Sequence, residues 1–177
     1  MQLILHRDGD FLTESERQFW SRPYEEKGIR VWITPGSDVE ACFLEAKVLA
    51  KTLGTSVENA QKLLEDAVSK SEEENSKKFS EKRDSHRRNN KLRSAGSSIP
   101  SDDEVRQELQ TGSVIGTSVG KKIAKTLRGL TQDEFEGSSK IGKHCPLGSN
   151  VAPELRTLLE SVIQPNTLMR RRRRSRG

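Results

Sequence analysis

Cysteine, tyrosine and tryptophan are scarce in this chain, and it has no long apolar run. Its two cysteines, Cys42 and Cys145, cannot build a disulfide framework, and their spacing fits no zinc motif. Cys42 falls in an apolar helical stretch, where a buried free thiol is expected. Apolar residues make up 31% and charged residues 32% of the 177 positions, which is lean for a compact globule. Part of the chain must therefore lie outside any core. No segment approaches the roughly 20 apolar residues that cross a bilayer. The apolar start at residues 2–5 is too short for a signal peptide. A soluble, cytoplasmic protein without a membrane partner is expected.

A basic body is also missing. The net charge is +5, but Arg170, Arg171, Arg172, Arg173, Arg174 and Arg176 sit together in the tail. Without them, 25 basic residues face 26 acidic ones, a net charge of −1. A protein that coats nucleic acid through its folded body would carry its charge there. In this chain only the tail makes such a case, through salt-sensitive contact with phosphates.

What is present begins with alternation. Residues 2–6 (QLILH) predict a strand, followed by the turn Arg7-Asp8-Gly9-Asp10. Thr13 and Glu16 then have capping-box spacing and open a helix, expected to stop near Arg22 because Pro23 follows. Residues 29–34 (IRVWIT) predict a second strand, ended by Pro35-Gly36. Ser37 and Glu40 repeat the capping-box spacing before a helix expected to run to about Leu53. A further helix is expected from Thr55 or Ser56, with apolar positions at Val57, Ala60, Leu63, Leu64 and Val68. From Ser69 to Lys91 the only apolar residue is Phe79, so a projecting, solvated helix that frays towards Asn89-Asn90 is expected. A linker at 94–98, a short helix at 102–109, a basic amphipathic helix from Gly120 and a last helix at 152–163 complete the reading.

The resulting organisation is a βαβα unit over 1–68, a charged helix and linker over 69–100, a helical part over 101–163 and a disordered Arg-rich tail over 164–177. The βαβα alternation implies α/β architecture with parallel strands and helical crossovers. In open sheets of that kind ligands collect at the carboxyl ends of the strands, and both acidic turns fall there.

Two carboxylates one residue apart, Asp8 and Asp10, can face a hard cation from a loop. Mg²⁺ takes one or two carboxylates together with waters and phosphate oxygens. Glu40, with Asp38 beside it, is placed at the next strand end to complete or bridge such a site, and Lys121 or Lys122 to offset phosphate charge. Plainer readings exist for each. Asp-Gly is a favoured hairpin turn, although a helix follows here and not a returning strand. Glu40 fits a helix cap, since S/T-x-x-E also recurs at Thr55–Glu58, Ser101–Glu104 and Thr131–Glu134. Lysines on helices are usually solvated. His6 reads as a packed neutral histidine, and His144-Cys145 as a surface pair without a matching partner.

The segments HRDGDFLT after a strand, TPGSDVEACFLEA after the next, and a later GKK lysine resemble the back half of the TOPRIM domain in OLD-family (overcoming lysogenization defect) nucleases. Such proteins carry a D-x-D turn, then an acidic motif often written E-I-E-N-Y, then a C-terminal lysine, and are commonly fused to an ABC-type ATPase. Asp8 and Asp10 match the first motif. Asp38, Val39 and Glu40 match the second loosely, with Ala41-Cys42-Phe43 where Asn-Tyr is usual, and Gly120-Lys121 stands for the lysine. The resemblance spans about residues 1–53 and, more vaguely, 112–163. It implies a partial TOPRIM-like, Rossmann-like sheet with flanking helices and a long polar helix. It also implies Mg²⁺ (or Mn²⁺) as cofactor, held by Asp8, Asp10, Asp38 and Glu40, with Asp8, Asp10, Glu40 and Lys121 serving DNA cleavage in phage defence. In this family a glutamate on an earlier strand and helix completes the site. Here the D-x-D strand starts at residue 2, so an ABC-type ATPase chain or a missing N-terminal segment is expected to supply it. A homo-oligomer is compatible with this. A catalytically inactive remnant that serves as a subunit or interaction module is the alternative, and a small response-regulator-like phosphate-binding protein ranks behind it.

Overall fold

A computed structural model describes residues 3–89, 92, 98–111 and 113–163. Gln2, most of the expected linker at 94–98 and the Arg-rich tail lie outside the described residues. The first apolar run forms β1 (Ile4–Arg7), which pairs in parallel with β2 (Arg30–Ile33), Ile4 opposite Arg30 and Arg7 opposite Ile33. Parallel neighbours need a crossover, and α1 (Glu14–Glu25) supplies it. Its capping box forms as expected: the Glu16 amide donates to the Thr13 hydroxyl, and the Thr13 amide to the Glu16 carboxylate. The helix does not stop at Arg22. It runs on through Pro23, whose missing N–H falls in the last turn, where little helix remains to be lost.

Beyond β2 the expected single helix is two. A 3₁₀ turn spans Val39–Phe43, and α2 (Ala46–Leu53) follows, ended by Gly54 at φ 68°. Ser37 and Glu40 make no capping box. Asp38 is the cap, accepting from the Ala41 amide, and the Ser37 hydroxyl donates to the distant Ser118 carbonyl. α3 (Val57–Lys70) is capped by Ser56, and α5 (Asp102–Gln110) by the expected Ser101–Glu104 box. Thr131 opens no helix. It closes α6 (Gly120–Thr131), because its hydroxyl donates back to the Leu127 carbonyl one turn earlier. A 3₁₀ turn at Glu136–Lys140 and α7 (Pro153–Ile163), which lies against β2, complete the described residues. The architecture is α/β but mostly helical, with seven α-helices and one two-stranded sheet among the described residues.

The main core packs Leu49 and Leu53 of α2, Leu64 and Ala67 of α3, and Ile123 and Leu127 of α6 around Ile141. Burial of each such leucine or isoleucine contributes about 1.5–3 kcal/mol. A second, smaller cluster joins Phe11, Phe79 and Val105, with Leu109 and Val119 against it. No described helix is long and apolar enough to cross a membrane.

The charged stretch after Ser69 departs furthest from expectation. α4 (Glu72–Arg88) packs on the body instead of projecting from it. Its buried positions are Asn75, Phe79, Arg83 and His86, with Ser71 buried just ahead of the helix. Spacings of four, four, four and three residues put these on one helical stripe. A face made of one aromatic and several hydrogen-bonding groups carries almost no hydropathy signal, so apolar periodicity passes it over.

Candidate functional site

The two acidic turns lie side by side at the carboxyl ends of the parallel strands. The Gly9 amide donates to Thr34 Oγ1 at 2.7 Å, and the Asp10 amide to the Ser37 carbonyl at 2.9 Å. A side chain at Gly9 would collide with the Thr34 and Gly36 carbonyl oxygens, so glycine is required for this approach. The turn then passes through two successive non-glycine residues in the left-handed region, Asp10 at φ 46° and Phe11 at φ 64°. Such residues cost of order 1–3 kcal/mol each and persist only where the surroundings hold them. Phe11 is held by edge-on packing against Phe79, with ring centres 5.2 Å apart.

Asp8 is exposed, and its carboxylate lies 3.8 Å from His6 Nε2. The His6 ring packs by stacking on Trp32, the buried member of the pair, while its own side chain remains exposed. Asp10 is less open, and its Oδ1 accepts an ion pair from Lys82 Nζ at 2.9 Å. Asp38 is engaged on both oxygens by backbone amides, Ala41 on one and Lys121 on the other. Burial raises its pKa above the ordinary aspartate value, and the nearby Glu40 charge adds to this, with the two amides as a partial offset. Glu40 is half-buried in the first turn of the 3₁₀ segment. Lys121 comes to the same place through its backbone; its side chain is exposed. The Gly120 amide donates to the Ser37 hydroxyl, so the positive end of α6 is docked on the second acidic turn. The three segments that carried the resemblance thus meet in space, although residues 38 and 121 are 83 positions apart.

Sequence reasoning missed the residues of α4 that reach this place. Arg83 is fully buried. Its Nη1 donates to Glu16 Oε2 at 2.7 Å and to the Phe11 carbonyl at 3.2 Å. Burial opposes ionisation of Glu16, but the hydrogen bonds and charge of Arg83, with those from Thr13, outweigh it and hold the carboxyl below its ordinary value. His86 Nε2 donates to the Asp10 carbonyl at 2.7 Å. Burial keeps its pKa below the usual histidine value in spite of that bond. Lys82, Arg83 and His86 therefore grip one loop: its carboxylate, its carbonyls and the cap of the helix that follows. The readable signal was their place on the Asn75–Phe79 stripe, not their charge.

Among the described residues no group of three or more His, Cys, Asp or Glu side chains converges on a point that could hold a metal ion. The donor chemistry of the first turn is nevertheless that of a hard-cation ligand, since one or two carboxylates with water and phosphate suffice for Mg²⁺. The Lys82 ammonium already stands as a cation on Asp10. Cys42 is no candidate ligand. Burial, with the Glu154, Asp38 and Glu45 charges, pushes its thiol up to about 11. Cys145 and its neighbour His144 are exposed, as a surface pair would be. Comparison of the chain with family models, with curated proteins and with solved structures gives no match.

Proposed function

We propose that the paired acidic turns are one half of the cation site of a TOPRIM-like, Mg²⁺-dependent DNA endonuclease of the OLD-family pattern, with phage defence as its setting. The observation that supports this reading is the pair of backbone bonds from Gly9 to Thr34 and from Asp10 to Ser37. They hold two acidic turns together at the carboxyl ends of parallel strands, where open sheets bind their ligands. In this reading Asp8 and Asp10 are the ligands on the first turn and Glu40 the ligand on the second. Asp38 ties α6 to the site, and Lys121 reaches the phosphate. When bound, Mg²⁺ orients water and stabilises charge on the phosphodiester oxygens. Asp8, Asp10 and Glu40 do not converge on one point as they stand, so in this reading they close around the ion only when another chain, such as an ABC-type ATPase, brings the family's missing glutamate.

A second reading, an inactive module for subunit or nucleic-acid contact, is favoured by the engagement of Asp10 by Lys82 and of both Asp38 oxygens by amides. Calorimetric titration of the full chain with Mn²⁺ separates the two. A single site lost in the Asp8→Ala, Asp10→Ala double variant supports the nuclease reading, and the same variant should abolish Mg²⁺-dependent plasmid nicking in the presence of the ATPase partner. Absence of any Mn²⁺ binding, or nicking unchanged in the double variant, leaves the module.

A further inference from the structure

A cleft of about 410 Å³ opens between α3, α4, α5 and the segment that joins α5 to α6, and no residue of the acidic turns lines it. Small-molecule sites typically measure about 300–1,000 Å³. Asn75 of α4 forms part of its wall and is only 4% exposed. The Asn75 Oδ1 accepts from the Val119 amide, but its Nδ2 is enclosed and has no partner. A buried amide donor left unmade costs about 1–3 kcal/mol, and the adjoining cleft is where an acceptor can come from. Arg106 of α5 lines the same cleft, its guanidinium lying over the Phe79 ring at 4.2 Å from the centre. Among the described residues its N–H groups reach only the Thr117 and Ser76 hydroxyls, at 3.4 and 3.5 Å. Both bonds are longer than the roughly 2.7–3.2 Å of a good N–H···O bond. Two carboxylates, Glu65 of α3 and Glu72 of α4, belong to this lining as well. Glu65 accepts from the neutral Gln61 amide, and among the described residues neither carboxylate forms an ion pair with Arg106 or with any other base.

We propose that this cleft binds a free apolar α-amino acid, its carboxylate on Arg106 and Asn75 and its ammonium on Glu72 and Glu65. The inference goes beyond the cation-site reading above and does not depend on it. Charges of both signs line one cleft without pairing with each other. A simple anion entering it meets two carboxylates, and a simple cation meets the guanidinium. A zwitterion satisfies both. Its carboxylate exchanges two long bonds from Arg106 to neutral hydroxyls for shorter, charge-assisted ones, in the bidentate geometry a guanidinium edge favours. The same group brings the acceptor that Asn75 Nδ2 lacks. Phe79 already backs the guanidinium, so little side-chain freedom is lost when its edge is occupied. Beside the charged groups stands an apolar wall made by Val68, Ile115 and Val114, the last of them 40% exposed. That wall suits an apolar side chain and offers nothing to a second charge.

The test follows the Asn75 side-chain amide and the Arg106 Nε–H of the full, isotope-labelled chain by NMR. L-leucine, L-isoleucine, L-valine and L-methionine are the probes, with acetate and methylammonium as half-molecule controls. At least one of the four amino acids should shift both signals saturably. Each half-molecule should bind roughly tenfold more weakly or not at all, since it forgoes the charge-assisted bonds of the other half. The Glu65→Gln, Glu72→Gln double variant changes two exposed side chains and should fold as wild type, while binding the amino acid roughly tenfold more weakly. Asn75→Asp keeps the acceptor for Val119 but removes the donor and should abolish binding; thermal melts check that it is folded, and the glutamate variant carries the test if it is not. No saturable shift with any of the four amino acids overturns the inference. Acetate binding as tightly as the amino acids, or affinity unchanged in the glutamate variant, overturns it too, by leaving a plain anion site. None of these results bears on Mn²⁺ binding at the acidic turns, so the cation-site reading stands or falls separately.

Discussion

Among the described residues Arg83 is the largest fully enclosed side chain, and it sits against a carboxylate that is almost as deeply buried. The pair is bound to the fold more by what its loss would leave behind than by its own attraction. Substituting Arg83→Met strands the Glu16 charge and frees the Phe11 carbonyl, a change expected to cost about 3–5 kcal/mol. Urea unfolding of the two proteins measures it. A loss below 1 kcal/mol would mean that Glu16 finds another partner. His86 answers to pH instead. Its folded pKa lies below its unfolded value, so the native state prefers the neutral ring. The stability this gives is present above the ordinary value of 6.5 and is lost as pH falls below it, when the unfolded chain takes up the proton. Melting temperature should therefore drop between pH 7.5 and 5.5, and His86→Gln, which keeps a donor for the Asp10 carbonyl, should flatten that drop. Glu16 has the opposite sense of charge but the same direction, its stability being lost as pH falls through and below its ordinary value of 4.5.

Among the elements, α6 is the piece whose seating decides whether the second acidic turn is formed. Its first residue approaches the turn so closely that a Cβ on Gly120 would meet Asp38 Oδ1 and the Ala41 backbone. Gly120→Ala should push the helix start away from Asp38 at a cost of about 1–3 kcal/mol. Faster hydrogen exchange at the Lys121 and Ala41 amides would report it, and unchanged exchange would show that the helix start can shift without releasing the turn. α4 makes a different point about what a sequence discloses. β1, β2, α1, α3 and α5 were legible because they obey apolar periodicity or carry a cap at the right spacing. α4 uses Asn75, Arg83 and His86 where other helices use leucine, and hydropathy is blind to a face that buries hydrogen bonds. The break between the 3₁₀ turn and α2 was hidden for a related reason. Ser37 and Glu40 have cap spacing, but Ser37 is drawn off to Ser118 and Gly120, contacts more than 80 positions away.

Across the chain, the strand-end position of both acidic turns was readable, because βα alternation fixes it. What joins those turns to Lys82, His86 and Lys121 was not, because those contacts are set by tertiary packing with no local pattern. The Asp10 turn is closed by residues on β2's exit and on α4, from 25 to 76 positions away from their partners in the chain. Contacts of such separation form late, since loop closure must come before any of them is gained. The paired turns are therefore assembled only once β2, α4 and α6 are in place around them. A chain still emerging from synthesis, or one opened by heat, presents Asp8 and Asp10 as two ordinary solvated carboxylates. The side-by-side placement of the two acidic turns is thus conferred at the close of folding.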